Sequence, residues 1–379
     1  MSPSRDLAAE YRREFPILER KVYLNSNSLG ALSCRSIAYR RVFEEQWNDL
    51  GASAWYELWL SKLAEVRASF GRIIGALPND IALLPSISAG LATLLGALDF
   101  RRRNQVVVTE LDFPTLCYAF LAHQRTGLEV VMVESPDGIE IPLDRVAAAV
   151  NDRTALVATS HVFYSTGAIQ DVAELARIAH ARGALLLVDA YQSTGQIPVD
   201  VKGAEIDLLL SGSLKWLCGG PGLAFLYVRP DLALQPTTLS WFGVEDQFSF
   251  DPRAARPRAD ARRFELGTPA MGAAFTALGG LEIIEEIGVE RIRERNRMLA
   301  SDLVDRLAAS GLPLRVSSAP ERRSAIVLAE HADAPDAVRR LAQRGIIIDY
   351  RGNRVRLSPH FYNTLEDNRA AAEALAPGG

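Results

Sequence analysis

The sequence predicts an α/β protein: a large domain on a mostly parallel sheet between helices, followed by a small C-terminal α+β domain. Three observations predict it. Between about Ile81 and Val228, short Val/Leu/Ile runs alternate with amphipathic segments, as strands buried on both faces and joined by crossover helices do. A Pro-, Arg- and Ala-rich connection, FDPRAARPRADARRFELGTPA, then interrupts the pattern. The tail beyond it reads as strand, helix, two strands and helix.

Each element has its own justification. IALLPSISAGLATLLGALDF is the longest apolar stretch, but Pro85, Ser86 and Ser88 break it. It falls short of the ~20 uninterrupted apolar residues of a membrane span and reads as strand, turn and buried helix. QVVVTE precedes the helical PTLCYAFLAHQR, LEVVMV precedes LDRVAAAV, and TALVATS precedes DVAELARIAHARG. ALLLVDA, IDLLLSG and GLAFLYV complete the strands. A single long helical stretch, AAFTALGGLEIIEEIGVERIRERNRMLASDLVDRLAAS, leads to the tail segments SAIVLAE, APDAVRRLAQRG, IIIDYRG, RVRLSP and LEDNRAAAEALA. The expected division is a large domain over 22–245 and a small one over 246–379 together with residues 1–21.

Bulk properties narrow the function. The 379 residues are 48% hydrophobic and 23% charged, with a net charge of −4. That suits a globular protein with a sizeable core and gives no electrostatic case for nucleic acid or an anionic membrane. Three cysteines at wide spacing and five histidines make no disulfide framework and no metal motif. MSPSRDLAAEYRREFP is charged and has no apolar signal core, so a cytoplasmic enzyme is expected. No Gly-x-Gly-x-x-Gly turn follows the first strands, which leaves a dinucleotide unsupported.

Four polar features fall at strand ends, where open α/β sheets bind ligands. Lys215 is one of only four lysines against 38 arginines, and it alone has apolar residues on both sides. A lysine amine can lose its proton and act as a nucleophile, which a guanidinium cannot. Asp189 ends a fully apolar strand and needs a cation or several donors. A helix N-cap would satisfy it, yet AYQSTGQIP is not helix-like. Ser88, Ala89 and Gly90 begin a helix with small residues, suited to a phosphate at the helix N-terminus or to an ordinary serine cap. Phe113 precedes Pro114 at a helix start and reads as a stacking platform or as a core residue. Lysine, aspartate, phosphate cradle and aromatic platform together fit one cofactor, pyridoxal 5'-phosphate, which takes a Schiff-base lysine and a carboxylate against its ring nitrogen.

With these residues in hand, VDAYQSTGQIPVDV and IDLLLSGSLKWLCGGPGLAFLYVR resemble the class V aminotransferase family of fold-type-I pyridoxal-phosphate enzymes. The resemblance runs from about Tyr23 to the C-terminal helix and implies a seven-stranded-type sheet. Several segments are similar to kynureninase. VYLNSNSLGAL implies Asn27 or Ser28 near the substrate, DFPTLCYA implies Phe113 on the ring, and TSHVFYSTG implies Ser160. LSWFGVEDQFSF implies Trp241 and RRFELGTPA implies Thr268, both completing the neighbouring site of a homodimer. The tail implies Arg356 on the carboxylate of an α-amino acid substrate. The resemblance also gives Ile87, Ser88 and Ala89 to the phosphate, and Gln192 to the cofactor's phenolic oxygen.

The chain departs from the kynureninase pattern at Leu116, Leu214 and Val244, where a polar or aromatic partner is expected. LKWLCGGPG is also similar to the isopenicillin N epimerase-like branch, and Gln192 to cysteine desulfurases. No cysteine follows Cys218, so a persulfide relay on the C-terminal domain is not expected. The implied chemistry is kynureninase-like cleavage or elimination at Cβ, with transamination as the alternative. A binding module that kept the fold without catalysis is the reading from another class.

Overall fold

The computed structural model describes residues 6–253 and 255–376. The chain opens with helix α1 (Leu7–Tyr11), the short strand β1 (Val22–Tyr23) and helices α2 (Cys34–Leu50) and α3 (Leu60–Ile74). Strands and helices then alternate: β2 (Ile81–Leu84), α4 (Ile87–Ala97), β3 (Gln105–Thr109), α5 (Pro114–Leu121), β4 (Glu129–Val133), α6 (Leu143–Ala149), β5 (Thr154–Ser160), α7 (Val172–His180) and β6 (Leu185–Asp189). Strands β7 (Leu208–Gly212) and β8 (Ala224–Val228) follow, then helices α8 (Met271–Ile287) and α9 (Val289–Ala309). The C-terminal part holds β9 (Val327–Glu330), α10 (Ala334–Gln343), β10 (Ile346–Ile347), β11 (Asp349–Arg351), β12 (Arg354–Leu357) and α11 (Leu365–Leu375).

Strands β2 to β8 form one sheet in the order β2-β8-β7-β6-β5-β3-β4. Strand β8 is antiparallel to both its neighbours, and the remaining pairs are parallel. Six strands therefore end on one edge, and the turns after Leu84, Thr109, Ser160, Asp189 and Gly212 gather there. Alternate residues feed opposite cores, as the two-residue strand period requires. Leu83, Val107, Val157, Leu186, Val188, Leu209 and Phe225 face helices α3, α7 and α8. Leu84, Val106, Val108, Leu156, Leu187, Leu208 and Leu226 face α4 and α5. Both faces are covered, which is why the strands read as unbroken apolar runs. Among the described residues no helix is long and apolar enough to cross a membrane.

Two segments differ from the sequence reading. The long helical stretch is two helices, bent at Gly288, where φ is 85°. The expected strand IIIDYRG is split: Ile346–Ile347 pairs in parallel with Val22–Tyr23, and Asp349–Arg351 pairs antiparallel with β12. Packing also draws a different line from residue 245. Phe275, Leu278, Leu281 and Ile284 of α8 join the core under the seven-stranded sheet, so this helix belongs with the large domain. The C-terminal core gathers Leu303 and Leu307 of α9 with Val327, Leu341, Val355, Leu357 and Leu375, and takes Leu24 from the N-terminal segment.

One buried histidine ties the C-terminal part to the sheet. His360 Nε2 lies 3.0 Å from the Trp216 carbonyl, and Nδ1 lies 3.2 Å from Asn296 Nδ2. A neutral ring with its proton on Nε2 satisfies both contacts. Burial pushes the His360 pKa down to about 3, although the Trp216 carbonyl opposes the shift. Burial and Arg293 push His161 down to about 4, against Asp171. The unfolded chain therefore takes up protons that the folded chain refuses. This stability is complete above about pH 6.5 and falls as the pH drops toward 4, by about 1.4 kcal/mol per pH unit for each histidine. His360→Asn is expected to be less stable at pH 7 but to show a flatter loss between pH 6.5 and 4. Denaturant unfolding at several pH values checks this.

Candidate active site

The turn that carries Lys215 is fixed from several directions. Beyond the end of β7, Ser213 Oγ donates to the Gly220 carbonyl at 2.7 Å, and the Cys218 N–H donates to the Lys215 carbonyl at 3.0 Å. The N-terminal segment lies directly on this turn, with the Gly30 N–H donating to the Leu214 carbonyl at 2.9 Å. A Cβ at Gly30 would sit 2.0 Å from the Lys215 carbonyl oxygen, so the approach requires glycine. Trp216 is fully buried, and its indole donates to Gln192 Oε1 at 2.8 Å. With its backbone held, Lys215 projects its Nζ to 4.4 Å from the centre of the Tyr191 ring and 5.8 Å from that of Phe113.

Charge is short of solvent here. Burial pushes the Lys215 ammonium below the usual lysine range; Asp189 opposes this, while Arg356 and Arg351 add to it. Burial pushes the Asp189 carboxyl up, against the Tyr191 N–H at 2.9 Å and the Lys215 charge. A desolvated amine gives up its proton more readily and is a better nucleophile near neutral pH. A buried carboxylate with one backbone donor retains capacity for a cationic partner.

The other sequence-predicted residues fall into two groups. Phe113 is half exposed rather than a core residue, caps α5 and meets Tyr164 edge-on at 5.1 Å. Ser160 ends β5 directly beside Asp189. Its N–H donates to Asp112 Oδ1 at 2.6 Å. Gln192 Nε2 donates to the Asn27 carbonyl at 3.0 Å, leaving one amide hydrogen to spare. Asn27 is buried and its Nδ2 has no partner among the described residues, so a buried donor is free to meet an acceptor. Ile87 is the first residue of α4. The helix cap is Ser86, whose Oγ accepts from the Ala89 N–H at 3.2 Å. That leaves the N–H groups of Ile87 and Ser88 and the exposed Ser88 hydroxyl at the helix start.

Trp241 and Thr268 lie on the segment between β8 and α8. The Trp241 indole donates to the Gln247 carbonyl among Phe242, Phe248 and Phe250. Thr268 is exposed and lines a cavity of about 140 Å³ with Leu84, Pro85 and Gly222. Arg356 is 1% exposed and already paired: its Nε and Nη2 reach the two oxygens of Asp349 at 2.8 and 2.5 Å. The guanidinium that the resemblance gives to the substrate carboxylate is held here in an ion pair within the chain. Burial pushes the thiols of Cys117 and Cys218 up to about 12, so neither is a ready nucleophile.

Sequence reasoning missed three residues. Tyr191 is at the lysine, and the signal was its place two residues after Asp189. Asp112 is fully buried and ties the turn before Phe113 to β5 through Thr109, Thr159 and Ser160. Its signal was a carboxylate next to the aromatic platform. Asp349 faces Arg356 across the hairpin, and nothing in a polar IIIDYRG segment distinguishes it.

A mostly parallel seven-stranded sheet with a lysine and a buried aspartate at its carboxyl edge, a free helix start and a C-terminal α+β part define a fold-type-I pyridoxal-phosphate protein. The Aminotransferase class-V family model matches residues 47–367, and the chain belongs to that family. It is 35% identical to the "Uncharacterized aminotransferase YcbU" of Bacillus subtilis (strain 168), over 98% of both chains. It is 31% identical to the kynureninase of Bacillus anthracis, covering 96% of this chain and 89% of that one. Its fold is similar to the apo structure of a cysteine desulfurase from Thermococcus onnurineus NA1, with a TM-score of 0.88 at 22% identity, over 99% and 98% of the two chains.

The position of Tyr191 depends on Gly212, because a Cβ there would lie 2.4 Å from Tyr191 Cε2. Gly212→Ala is expected to cost about 1–3 kcal/mol through overpacking. Adding Tyr191→Ala, which vacates that volume, should return most of the loss. A double-mutant cycle by denaturant unfolding checks the coupling.

Proposed function

We propose that the chain is a pyridoxal-phosphate enzyme that acts on an α-amino acid through proton removal at the α-carbon, followed by cleavage or elimination at Cβ. The observation that carries this reading is Lys215, its ammonium disfavoured by burial, beside a buried Asp189. Bound here, pyridoxal phosphate supplies an electron sink for the bond broken at the α-carbon. Lys215 would hold the cofactor and carry the α-carbon proton. Asp189 holds the proton on the ring nitrogen. Phe113 offers its face to the ring, and Ser160, Gln192 and Asn27 supply donors around it. The N–H groups of Ile87 and Ser88, with the Ser88 hydroxyl, hold the phosphate at the start of α4, and the Ala89 turn shapes that end. Arg356 receives the substrate carboxylate.

Part of the kynureninase pattern is missing here. Leu116 is buried in the apolar core and Leu214 is flanked by the Lys215 turn, so neither gives the polar or aromatic contact of the kynureninase pattern. Trp241 and Thr268 belong to the neighbour's site in a homodimer, a reading supported by the similarity of their segments to the kynureninase pattern. A second reading, transamination with a 2-oxo acid, draws support from the 35% identical relative described as an aminotransferase.

Borohydride reduction of the holoenzyme is expected to fix the cofactor to the peptide carrying Lys215, mapped by mass spectrometry. Lys215→Ala should lose both the adduct and turnover; a variant that keeps both sinks the assignment. A panel of amino acids then separates the reactions. Stoichiometric 2-oxo acid release with a lasting change in the cofactor spectrum identifies transamination. Pyruvate, alanine, anthranilate or sulfide identifies cleavage or elimination.

A further inference from the structure

The guanidinium of Arg356 is almost fully used before any ligand arrives. Its Nε donates to Asp349 Oδ1 at 2.8 Å. Its Nη2 donates to Asp349 Oδ2 at 2.5 Å and to Ser28 Oγ at 3.0 Å. Its Nη1 donates to the Tyr164 carbonyl at 2.8 Å. A guanidinium has five N–H groups, so one remains. Ser28 Oγ in turn donates to Asp349 Oδ2 at 2.5 Å. The Nε–Nη2 edge of Arg356, where an incoming carboxylate would make a two-point contact, is where the carboxylate of Asp349 now sits.

The hairpin also supplies somewhere for that carboxylate to go. Asp349 lies directly across the ladder from Arg356. Arg351, two residues along the same strand, already has its Nη1 3.4 Å from Asp349 Oδ2, and its side chain is 42% exposed against 1% for Arg356. A buried guanidinium without a counter-ion is costly, whereas a carboxylate moving toward a wetter arginine keeps a partner. Burial raises the Asp349 pKa, but the bonds and charge of Arg356 outweigh it and hold the group below the usual carboxylate range. Asp349 is therefore an anion through the neutral range.

We propose that Asp349 is a specificity-determining residue: a resident carboxylate that occupies Arg356 until the substrate's carboxylate displaces it onto Arg351. This rests on the reading of Arg356 as the carboxylate site. Simple carboxylates compete poorly against a tethered one, while an α-amino acid brings its amine as a second anchor. The pair thus selects for amino acids over plain organic acids.

Propionate, which has the carboxylate without the amine, is the probe, titrated calorimetrically into the holoenzyme. Asp349→Asn, or Asp349→Ser where the asparagine variant does not fold, is expected to bind propionate at least ten-fold more tightly than wild type. Arg356→Gln in the same background should abolish the gain. Unchanged or weaker binding by the Asp349 variants, with binding still lost in Arg356→Gln, overturns the competition and leaves Arg356 as the carboxylate site. Binding that survives Arg356→Gln overturns the Arg356 reading itself. Arg351→Gln tests the same idea with Asp349 in place. It should weaken propionate binding several-fold, because the displaced carboxylate loses its second partner. Equal or tighter binding there also overturns the proposal.

Discussion

The arrangement depends on one buried carboxylate. Asp189 closes a strand of Leu and Val residues and is 7% exposed. An ionised carboxylate in such a place costs several kcal/mol unless cations and donors surround it. One backbone N–H, from Tyr191, does not suffice. The need for positive charge explains why a lysine stands in an otherwise apolar turn on the next strand, and why its amine is in turn destabilised as an ammonium. Each group is unfavourable alone. Their placement is sustained by the two cores that cover the sheet on both faces. On the proposed reading, a cofactor held by both residues would relieve both.

Distant parts of the chain meet on the lysine turn. The N-terminal segment reaches the Leu214 carbonyl through Gly30, and the C-terminal segment reaches the Trp216 carbonyl through His360. Gln192 joins them by donating to the Asn27 carbonyl while accepting from the Trp216 indole. The two residues that flank Lys215 are thus positioned by segments far apart in sequence. The same convergence carries Arg356 to the site, since the hydroxyl of Ser358, two residues on, accepts from the Asn27 N–H and donates to Asn27 Oδ1.

Sequence was a good guide where burial and polarity conflict. The strands were legible as unbroken apolar runs, and TALVATS is β5 from end to end. Lys215 and Asp189 were legible because charges in apolar contexts demand partners. Asp349 was not, because a charged hairpin residue looks the same whether it faces water or a buried arginine. The bend at Gly288 was hidden because helical spacing continues on both sides while the burial partners change from the sheet to the C-terminal core. The place of α8 was obscured for the same reason: amphipathicity says that a helix packs, not on what. Tyr191 escaped notice because its role depends on Gly212, a neighbour supplied by another strand.

The two ends of the proposed site offer an anion different physics. At the start of α4 the groups are neutral: two N–H groups, a hydroxyl and the helix dipole. Such a cradle suits a phosphate whose position is fixed by the cofactor itself, because it asks only for diffuse positive potential. At the other end Arg351 and Arg356 share one carboxylate, leaving one positive charge over among these three groups. A planar guanidinium fork discriminates by geometry, and on the proposed reading a resident carboxylate of the right shape would make that discrimination stricter. Because Arg356 and Arg351 both push the Lys215 ammonium down, an anion arriving beside them also changes the balance at the amine. On the proposed reading, substrate binding at the guanidinium end and proton transfer at the lysine would thereby be coupled through charge, without any need for a large movement of the fold.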